Sequence, residues 1–289
     1  MKIALLPNLT REKAQEITIE ICHWLKEYGA EFAGCSEDRD KLQSVDNLSF
    51  YDFDELIKWC DAVISVGGDG SMLRAAKRIV GYEKPILCIN AGRLAFMAGL
   101  EANELQLLKK LVDGEYEIDK RMLFDVEHIR DGEVIDKSNC INDVVLARSN
   151  RIKINDIDVK CDGRLINTYR SDGIIVATPT GSSAYSLAAG GPVINPSMEA
   201  IVVTPISAQS LFARSIVFSS ENEIELSMNE NSPTKEFILS LDGNDATPFF
   251  ESDRVTIRKS EHYASFIRIK GEPFFEILNR KLTGPEARS

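Results

Sequence analysis

The strongest constraint on this chain is an alternation. Across its first 112 residues, short, largely apolar runs alternate with amphipathic stretches of helical period. Lys2–Leu6, Ala62–Val66 and Ile86–Ile89 carry no polar face and are too short for buried helices, which is the pattern of strands covered on both sides. Arg11–Tyr28 places Ala14, Ile17, Ile21, Leu25 and Tyr28 three and four residues apart, and Gly29 ends the pattern. Further helical patterns lie at Met72–Val80 and Asn103–Val112. Strands alternating with helices build parallel β-α-β units. Ligands of such sheets bind at the carboxyl ends of the strands, which here are Gly67–Gly70 and Asn90-Ala91-Gly92.

Beyond about Lys120 the texture changes to short strand-like runs. They are Phe124–Arg130, Val144–Ala147, Ile152–Val159, Leu165–Tyr169, Ile174–Ala177, Ile201–Val203, Ile216–Phe218, Glu223–Met228, Phe237–Leu241, Val255–Arg258 and Phe266–Ile269. Asp131-Gly132 and Asp162-Gly163 are hairpin signals between them, because both central residues of a tight hairpin turn need positive φ. One helical insertion is expected near Ser183–Ala189, and the polar stretch Ser36–Asn47 is expected to be a mobile loop. The expected fold is an α/β amino-terminal domain with a parallel, Rossmann-like sheet, followed by a β-rich, two-sheet sandwich-like domain. Boundaries are expected at 1–120 and 121–269. The terminal helical pattern Phe274–Leu282 could pack on either domain, and the segment from about 270 to 289 is assigned to the first.

Composition removes several function classes. A net charge of −11 with pI near 5.0 argues against a surface that tracks nucleic-acid phosphates. It leaves room for small phosphorylated ligands, which backbone N–H groups, helix N-termini and a bound cation can hold. No stretch approaches the ~18 apolar residues of a membrane span, and the apolar run in Met1–Pro7 is too short for a secretory signal. A cytoplasmic protein without membrane partners is expected. Cys22, Cys35, Cys60, Cys88, Cys140 and Cys161 form no C-x-x-C pair, which suggests reduced thiols. The three histidines, 23, 128 and 262, are not spaced to share a metal.

Three motifs carry chemistry. In Gly67-Gly68-Asp69-Gly70, glycines at a strand-to-helix turn let the backbone approach a ligand and aim N–H groups at it. No Gly-Lys-Ser/Thr follows, so this is not a Walker A loop, and no third glycine makes it a dinucleotide G-x-G-x-x-G. A carboxylate repels phosphate. Asp69 therefore makes sense as an acceptor of a hydroxyl proton or as a partner of Mg²⁺, although a turn whose Asp merely caps the next helix has the same composition. The stretch Thr178-Pro179-Thr180-Gly181-Ser182-Ser183, with Tyr185 and Gly190-Gly191-Pro192 beyond it, offers hydroxyls for phosphate or ribose and a flat ring for a base. Its plainer reading is a helix cap and a Gly-Gly-Pro helix exit. Asn142-Asp143 stands before the strand Val144–Ala147 and could read a base amine or sugar hydroxyls, or could be an ordinary turn.

Taken together, these motifs resemble the NAD kinases. The resemblance rests on Gly67-Gly68-Asp69-Gly70, on Asn142-Asp143-Val144-Val145, and on Arg170-Ser171-Asp172-Gly173 running into Thr178–Pro192. It spans nearly the whole chain. The glycine-aspartate turn is shared with diacylglycerol-type lipid kinases and phosphofructokinases, but the long hydroxyl-rich motif is close to specific for NAD kinases. The resemblance implies ATP-dependent phosphorylation of the 2′-hydroxyl of the adenosine ribose of NAD, giving NADP, with Asp69 orienting or deprotonating that hydroxyl. It places substrate or nucleotide contacts at Gly68, Gly70, Arg74, Phe96, Asn142, Asp143, Arg170, Asp172, Thr180, Ser183, Ala184, Tyr185, Ser186, Ala188 and Asn244. It implies Mg²⁺ or another divalent cation brought with ATP, no metal site on the protein, and a homodimer or homotetramer whose neighbouring subunit can help complete the site. Lys77 and Arg78 are read as a solvated helix face. Ser71 and Ser183 stand where threonine is usual, Ala95 where glycine is usual, and Gln209 where histidine is common. Two alternatives remain: a lipid kinase with an apolar acceptor channel, and a catalytically silent NAD sensor, against which the presence of Asp69 speaks.

Overall fold

The structure is a computed structural model that describes residues 1–43, 45, 48–92, 95–149, 154–210, 213–233, 236–244 and 246–282. The chain divides into two compact units, Met1–Lys120 with Ala264–Ser289, and Arg121–Tyr263.

The first unit runs β1 (Lys2–Pro7), α1 (Glu12–Glu27), β2 (Glu31–Cys35), β3 (Ser49–Tyr51), α2 (Phe53–Trp59), β4 (Ala62–Gly67), α3 (Asp69–Ile79), β5 (Ile86–Asn90), β6 (Leu100–Glu101) and α4 (Leu108–Asp113). Its strands lie in the order β3-β2-β1-β4-β5, all parallel, and β6 adds to β5. Every residue of β4 and β5 is buried, as expected of strands covered on both faces. The apolar stripe of α1, Ala14, Ile17, Ile21 and Leu25, packs with Ile3, Leu5, Ile64 and Leu87 of the sheet. Burying a Leu or Ile of this kind contributes about 1.5–3 kcal/mol, so the stripe outweighs the lack of any side-chain cap at Arg11.

The second unit contains β7 (Glu117–Arg130, entering from the first), β8 (Glu133–Cys140), β9 (Asp143–Arg148), β10 (Asn155–Cys161), β11 (Arg164–Ser171), β12 (Gly173–Ala177), the one-turn helix α5 (Tyr185–Ala188), β13 (Ala200–Ile206), β14 (Ile216–Ser219), β15 (Ile224–Met228), β16 (Glu236–Leu241), β17 (Thr247–Phe250) and β18 (Asp253–Arg268). One antiparallel sheet has the order β14-β13-β12-β9-β16-β17. The other runs β11-β10-β15-β18, with the β7–β8 hairpin on β18. Phe124, Ile157, Leu226 and Ile257 from one sheet share a core with Leu146, Ile174, Val203 and Phe237 from the other. The fully buried Asp253 side chain, at the start of β18, gathers an ionic knot from the end of β7. Asp253 accepts from Arg130 Nε and Nη2 at 2.7 Å each and lies 3.0 Å from His128 Nε2, while His128 stacks on Phe249. Asp131-Gly132 and Asp162-Gly163 turn the two expected hairpins with φ of 51°, 87°, 50° and 74°.

Several elements differ from expectation. Val255–Arg258 and Phe266–Ile269 belong largely to one strand, β18, whose final residues pair with β5 through Phe266 and Ile86. Residues 264–269 therefore group with the first unit. Ser36–Lys41 forms a 3-10 turn within the stretch expected to be a mobile loop, followed by β3 and α2. Residues 44, 46 and 47 of that stretch lie outside the described residues, as do 152 and 153 at the start of the expected strand Ile152–Val159. The expected terminal helix is present as α6 (Phe274–Leu282). Among the described residues no helix is long and apolar enough to cross a membrane.

Candidate functional site

In the first unit the chemistry sits at the carboxyl ends of β4 and β5. Gly67 ends β4 beside Asn90 of β5, and its carbonyl accepts the N–H of Ala91. A Cβ on Gly67 would come within 2.7 Å of Ser71 Cβ, so only glycine lets α3 start this close to the strand. Around Gly68 a Cβ would meet nothing within 4 Å, which leaves that part of the turn open to approach. Asp69 is the first helical residue of α3.

The Asp69 carboxylate reaches across to the loop after β5. Oδ2 accepts the N–H of Phe96 and Oδ1 that of Met97, each at 2.8 Å. This is more than a helix cap: both oxygens are engaged by a distant segment. Asn90 organises the same loop, its Oδ1 accepting from Gly92 N and its Nδ2 donating to Glu101, both at 2.8 Å. Glu101 in turn forms a capping box with Glu104, which pairs with Lys270. Asn8, at the end of β1, donates to Ser71 Oγ at 2.8 Å and leaves the Ser71 hydroxyl proton available. Arg74 is exposed one turn along α3, whereas Arg78 is committed to Glu37 and to the face of Phe53. Ala95 is buried, and residues 93 and 94 beside it lie outside the described residues.

In the second unit, β9, β12 and the β16–β17 turn bring the other two motifs together. Thr178, at the end of β12, donates its hydroxyl to Ile141 O at 2.6 Å and its N–H to Asn142 O at 2.9 Å. A Cβ on Gly181 would lie 2.0 Å from Asn142 O, so the hydroxyl-rich turn packs directly on the Asn142 backbone. From there the chain presents Ala184, Tyr185 and Ala188 as exposed residues, with Tyr185 46% exposed. Asn142 Oδ1 is a buried acceptor with no hydrogen-bond partner. Asp143 is 5% exposed, and burial followed by the nearby Asp242 carboxylate pushes it up to about 7. Asn244 is exposed in the same turn.

Other expected site residues are placed differently. Ser186 is fully buried with its hydroxyl 2.9 Å from that of Thr204 on β13, and half-buried Ser183 donates its Oγ–H to Thr180 O within the turn. Thr180 is nearly buried and accepts from Arg121 at 3.4 Å. Asp172, ion-paired with Arg148 at 3.3 Å, and Arg170 lie at the opposite end of β12 from Thr178. Gln209 is exposed, its N–H bonded to Arg170 O. Asn8 and Asp242 were not singled out from sequence, and Thr178 was named as a ligand hydroxyl of its motif rather than as the clamp on Ile141 and Asn142. The available signal was position: each is polar and stands at a strand end or in a hairpin turn. Among the described residues no group of three or more His, Cys, Asp and Glu could hold a metal ion.

The ATP-NAD kinase N-terminal domain matches residues 3–116, and the ATP-NAD kinase C-terminal domain matches residues 141–269. The chain is 33% identical over 288 residues to an NAD kinase of Caldanaerobacter subterraneus subsp. tengcongensis, covering 98% of this chain and 99% of that relative. A crystal structure of an NAD kinase from Archaeoglobus fulgidus in complex with ATP superposes with a TM-score of 0.75 at 26% identity, covering 98% of each chain. Yeast NADH kinase complexed with NADH gives a TM-score of 0.89 at 20% identity, over 99% of this chain and 88% of that one, which speaks to the fold alone.

Proposed function

This chain belongs to the ATP-NAD kinase family, and we propose that it transfers the γ-phosphoryl group of ATP to the 2′-hydroxyl of the adenosine ribose of NAD, giving NADP. The observation that carries the reading is the way Asp69 is held. Its two oxygens accept from Phe96 and Met97, which fixes the carboxylate in a glycine turn otherwise suited to anions. A carboxylate has roughly four acceptor positions, so about two remain for an incoming hydroxyl. Asp69 orients that hydroxyl and takes its proton as the O2′–P bond forms and the bond from Pγ to ADP breaks. Such transfer depends mainly on in-line positioning and charge neutralisation. The first N–H groups of α3, at Asp69 and Gly70, have no intrahelical acceptor and suit phosphate oxygens, with Arg74 nearby.

On the second unit, Asn142 and Asp143 supply polar contacts to NAD, and Tyr185 with Ala184 and Ala188 offers a face for a flat ring. Thr180, Ser183 and Ser186 shape that surface more than they contact the nucleotide, and Asn244 adds a further polar contact. A divalent cation would be carried by ATP rather than held by a carboxylate cluster of the chain, and would supply charge neutralisation at the phosphates. The protein is a cytoplasmic homodimer or homotetramer. Its six cysteines form no disulfide, and exposed apolar residues lie on the edge strand β11 (Leu165, Ile166) and on β8 (Val134, Ile135). Neither the lipid-kinase nor the silent-sensor alternative is favoured, since the near-full-length relative is an NAD kinase.

The test is incubation of purified protein with Mg²⁺-ATP and NAD, with NADP read by an NADP-specific dehydrogenase. NADP formation is expected. Phosphorylation of diacylglycerol without NADP would replace this reading by the lipid-kinase one.

A further inference from the structure

The corner that carries Asn142 and Asp143 is organised by a residue in neither motif. Asp242, in the turn between β16 and β17, accepts from Asn142 N at 2.7 Å, from Ile141 N at 3.1 Å and from Asp143 N at 3.4 Å, all on Oδ1. Oδ2 accepts from Ile141 N at 3.1 Å, and the Cys140 thiol donates to Oδ1 at 3.1 Å. The backbone N–H of Asp242 returns a bond to Asp143 O at 2.9 Å. On the other side, Thr178 donates to Ile141 O and Asn142 O. The backbone polar groups of Ile141–Asp143 are thus held between a carboxylate and a threonine. Asp242 and Gly243 both have positive φ, 57° and 67°, and this left-handed pair is what turns the carboxylate back onto the corner.

The corner is also where an acceptor is left open. With its backbone committed, Asn142 keeps a buried side-chain Oδ1 that has no partner. Such an atom costs free energy unless a donor arrives to meet it. We propose that Asp242 is a positioning residue for dinucleotide binding, which holds the Ile141–Asp143 backbone so that the Asn142 amide and the Asp143 carboxyl meet NAD, without itself touching the nucleotide. The inference rests on the NAD kinase reading above and deepens it.

A purely structural clamp would hold the turn and do nothing else. Asp242 also acts on Asp143 through its charge, the second cause after burial that raises Asp143 to about 7. Asp143 faces Asp242 from the β16–β17 turn, whose carboxylate also takes the Cys140 thiol of β8, and lies opposite the uncharged Ala177 of β12. Arg148, on its own strand, is paired with Asp172. Asp242 is therefore the charge whose removal should move Asp143.

The experiment compares wild type, Asp242→Asn and Asp242→Glu by kcat and by KM for NAD and for ATP, from acid to mildly alkaline pH. Asp242→Asn should raise KM for NAD about tenfold, with KM for ATP within about twofold. It should also shift the inflection in kcat/KM for NAD downward by roughly one pH unit, because an amide no longer repels ionised Asp143. Asp242→Glu should return the inflection toward its wild-type position while KM for NAD stays raised, since the longer side chain misplaces the carboxylate. An unchanged KM for NAD in Asp242→Asn, or a fall in Tm and kcat with the pH profile unmoved, overturns the proposal. So does failure of both variants to fold, which would make Asp242 structural. A wild type that forms no NADP would instead bring down the underlying reading and this inference with it.

Discussion

At the scale of the residue, one carboxylate must be held but left with room to act. Asp69 meets both needs, because its two backbone bonds leave acceptor capacity free. Asp69→Asn keeps the shape, removes the negative charge, and can satisfy Phe96 or Met97 but not both. Turnover should fall by about 10²–10⁴-fold, the usual contribution of a positioned general base, while NAD binding by calorimetry changes little. Normal turnover would remove Asp69 from the proton step. Asp143 makes a different prediction, about stability. Its folded value of about 7 lies above that of the unfolded chain, so its stabilising contribution is complete below the unfolded value and is lost as pH rises through about 7. Asp143→Asn should therefore be more stable to unfolding than wild type above pH ~7, by on the order of 2–4 kcal/mol, with a higher Tm there and the gap closing near pH ~4. A gap independent of pH would show that Asp143 carries no such burial penalty. Asp69 was legible in the sequence because a carboxylate among glycines is chemically out of place. Asp242 was not, because its role is a convergence of donors about a hundred positions earlier in the chain, visible only once β9 and β16 pair.

At the scale of the element, the turn after β12 is the tightest join in the second unit. Gly181 sits where a Cβ would penetrate the Asn142 peptide, 2.0 Å from its oxygen and 2.4 Å from its carbonyl carbon, both backbone atoms that cannot swing aside. Gly181→Ala should cost about 3 kcal/mol or more, at the upper end of overpacking substitutions. It should also weaken NAD binding by displacing Asn142. Calorimetry would show a Tm lowered by several degrees, and an unchanged Tm would mean that the turn yields easily. Apolar runs made most strands legible, since β4, β5 and β12 are buried throughout. The elements missed lack that signature. β8 is exposed over its first five residues, β3 has three residues, β17 contains Pro248, and α2 is only seven residues long. β18 was divided in two because Ser260-Glu261-His262 interrupts its apolar pattern.

At the scale of the whole molecule, the change of texture near Lys120 foretold an α/β unit followed by a β-rich one. Texture could not show that residues 264–269 return to the first, because that depends on one pairing of β18 with β5. The placement of Arg170 and Asp172 makes the strongest demand on assembly. The five residues of β12 separate Asp172 from Thr178, and at ~3.3 Å per residue that is about 17–20 Å. Side chains at that distance are out of reach of a group bound beside Asn142. If both are nucleotide contacts, as the family resemblance implies, we expect them to serve the site of a neighbouring copy. The exposed Leu165 and Ile166 on the edge strand that ends beside Arg170 fit such an interface. The consequence is complementation between inactive chains. Asp69→Asn alone should lack the base, and Asp172→Ala alone should lack the contact given to its neighbour. A mixed dimer then holds one complete site, formed where the Asp172→Ala chain keeps its own Asp69 and receives Asp172 from its partner. Random pairing on co-expression should restore about a quarter of wild-type sites. Activity no higher than the mean of the two single variants would place Arg170 and Asp172 outside any shared site.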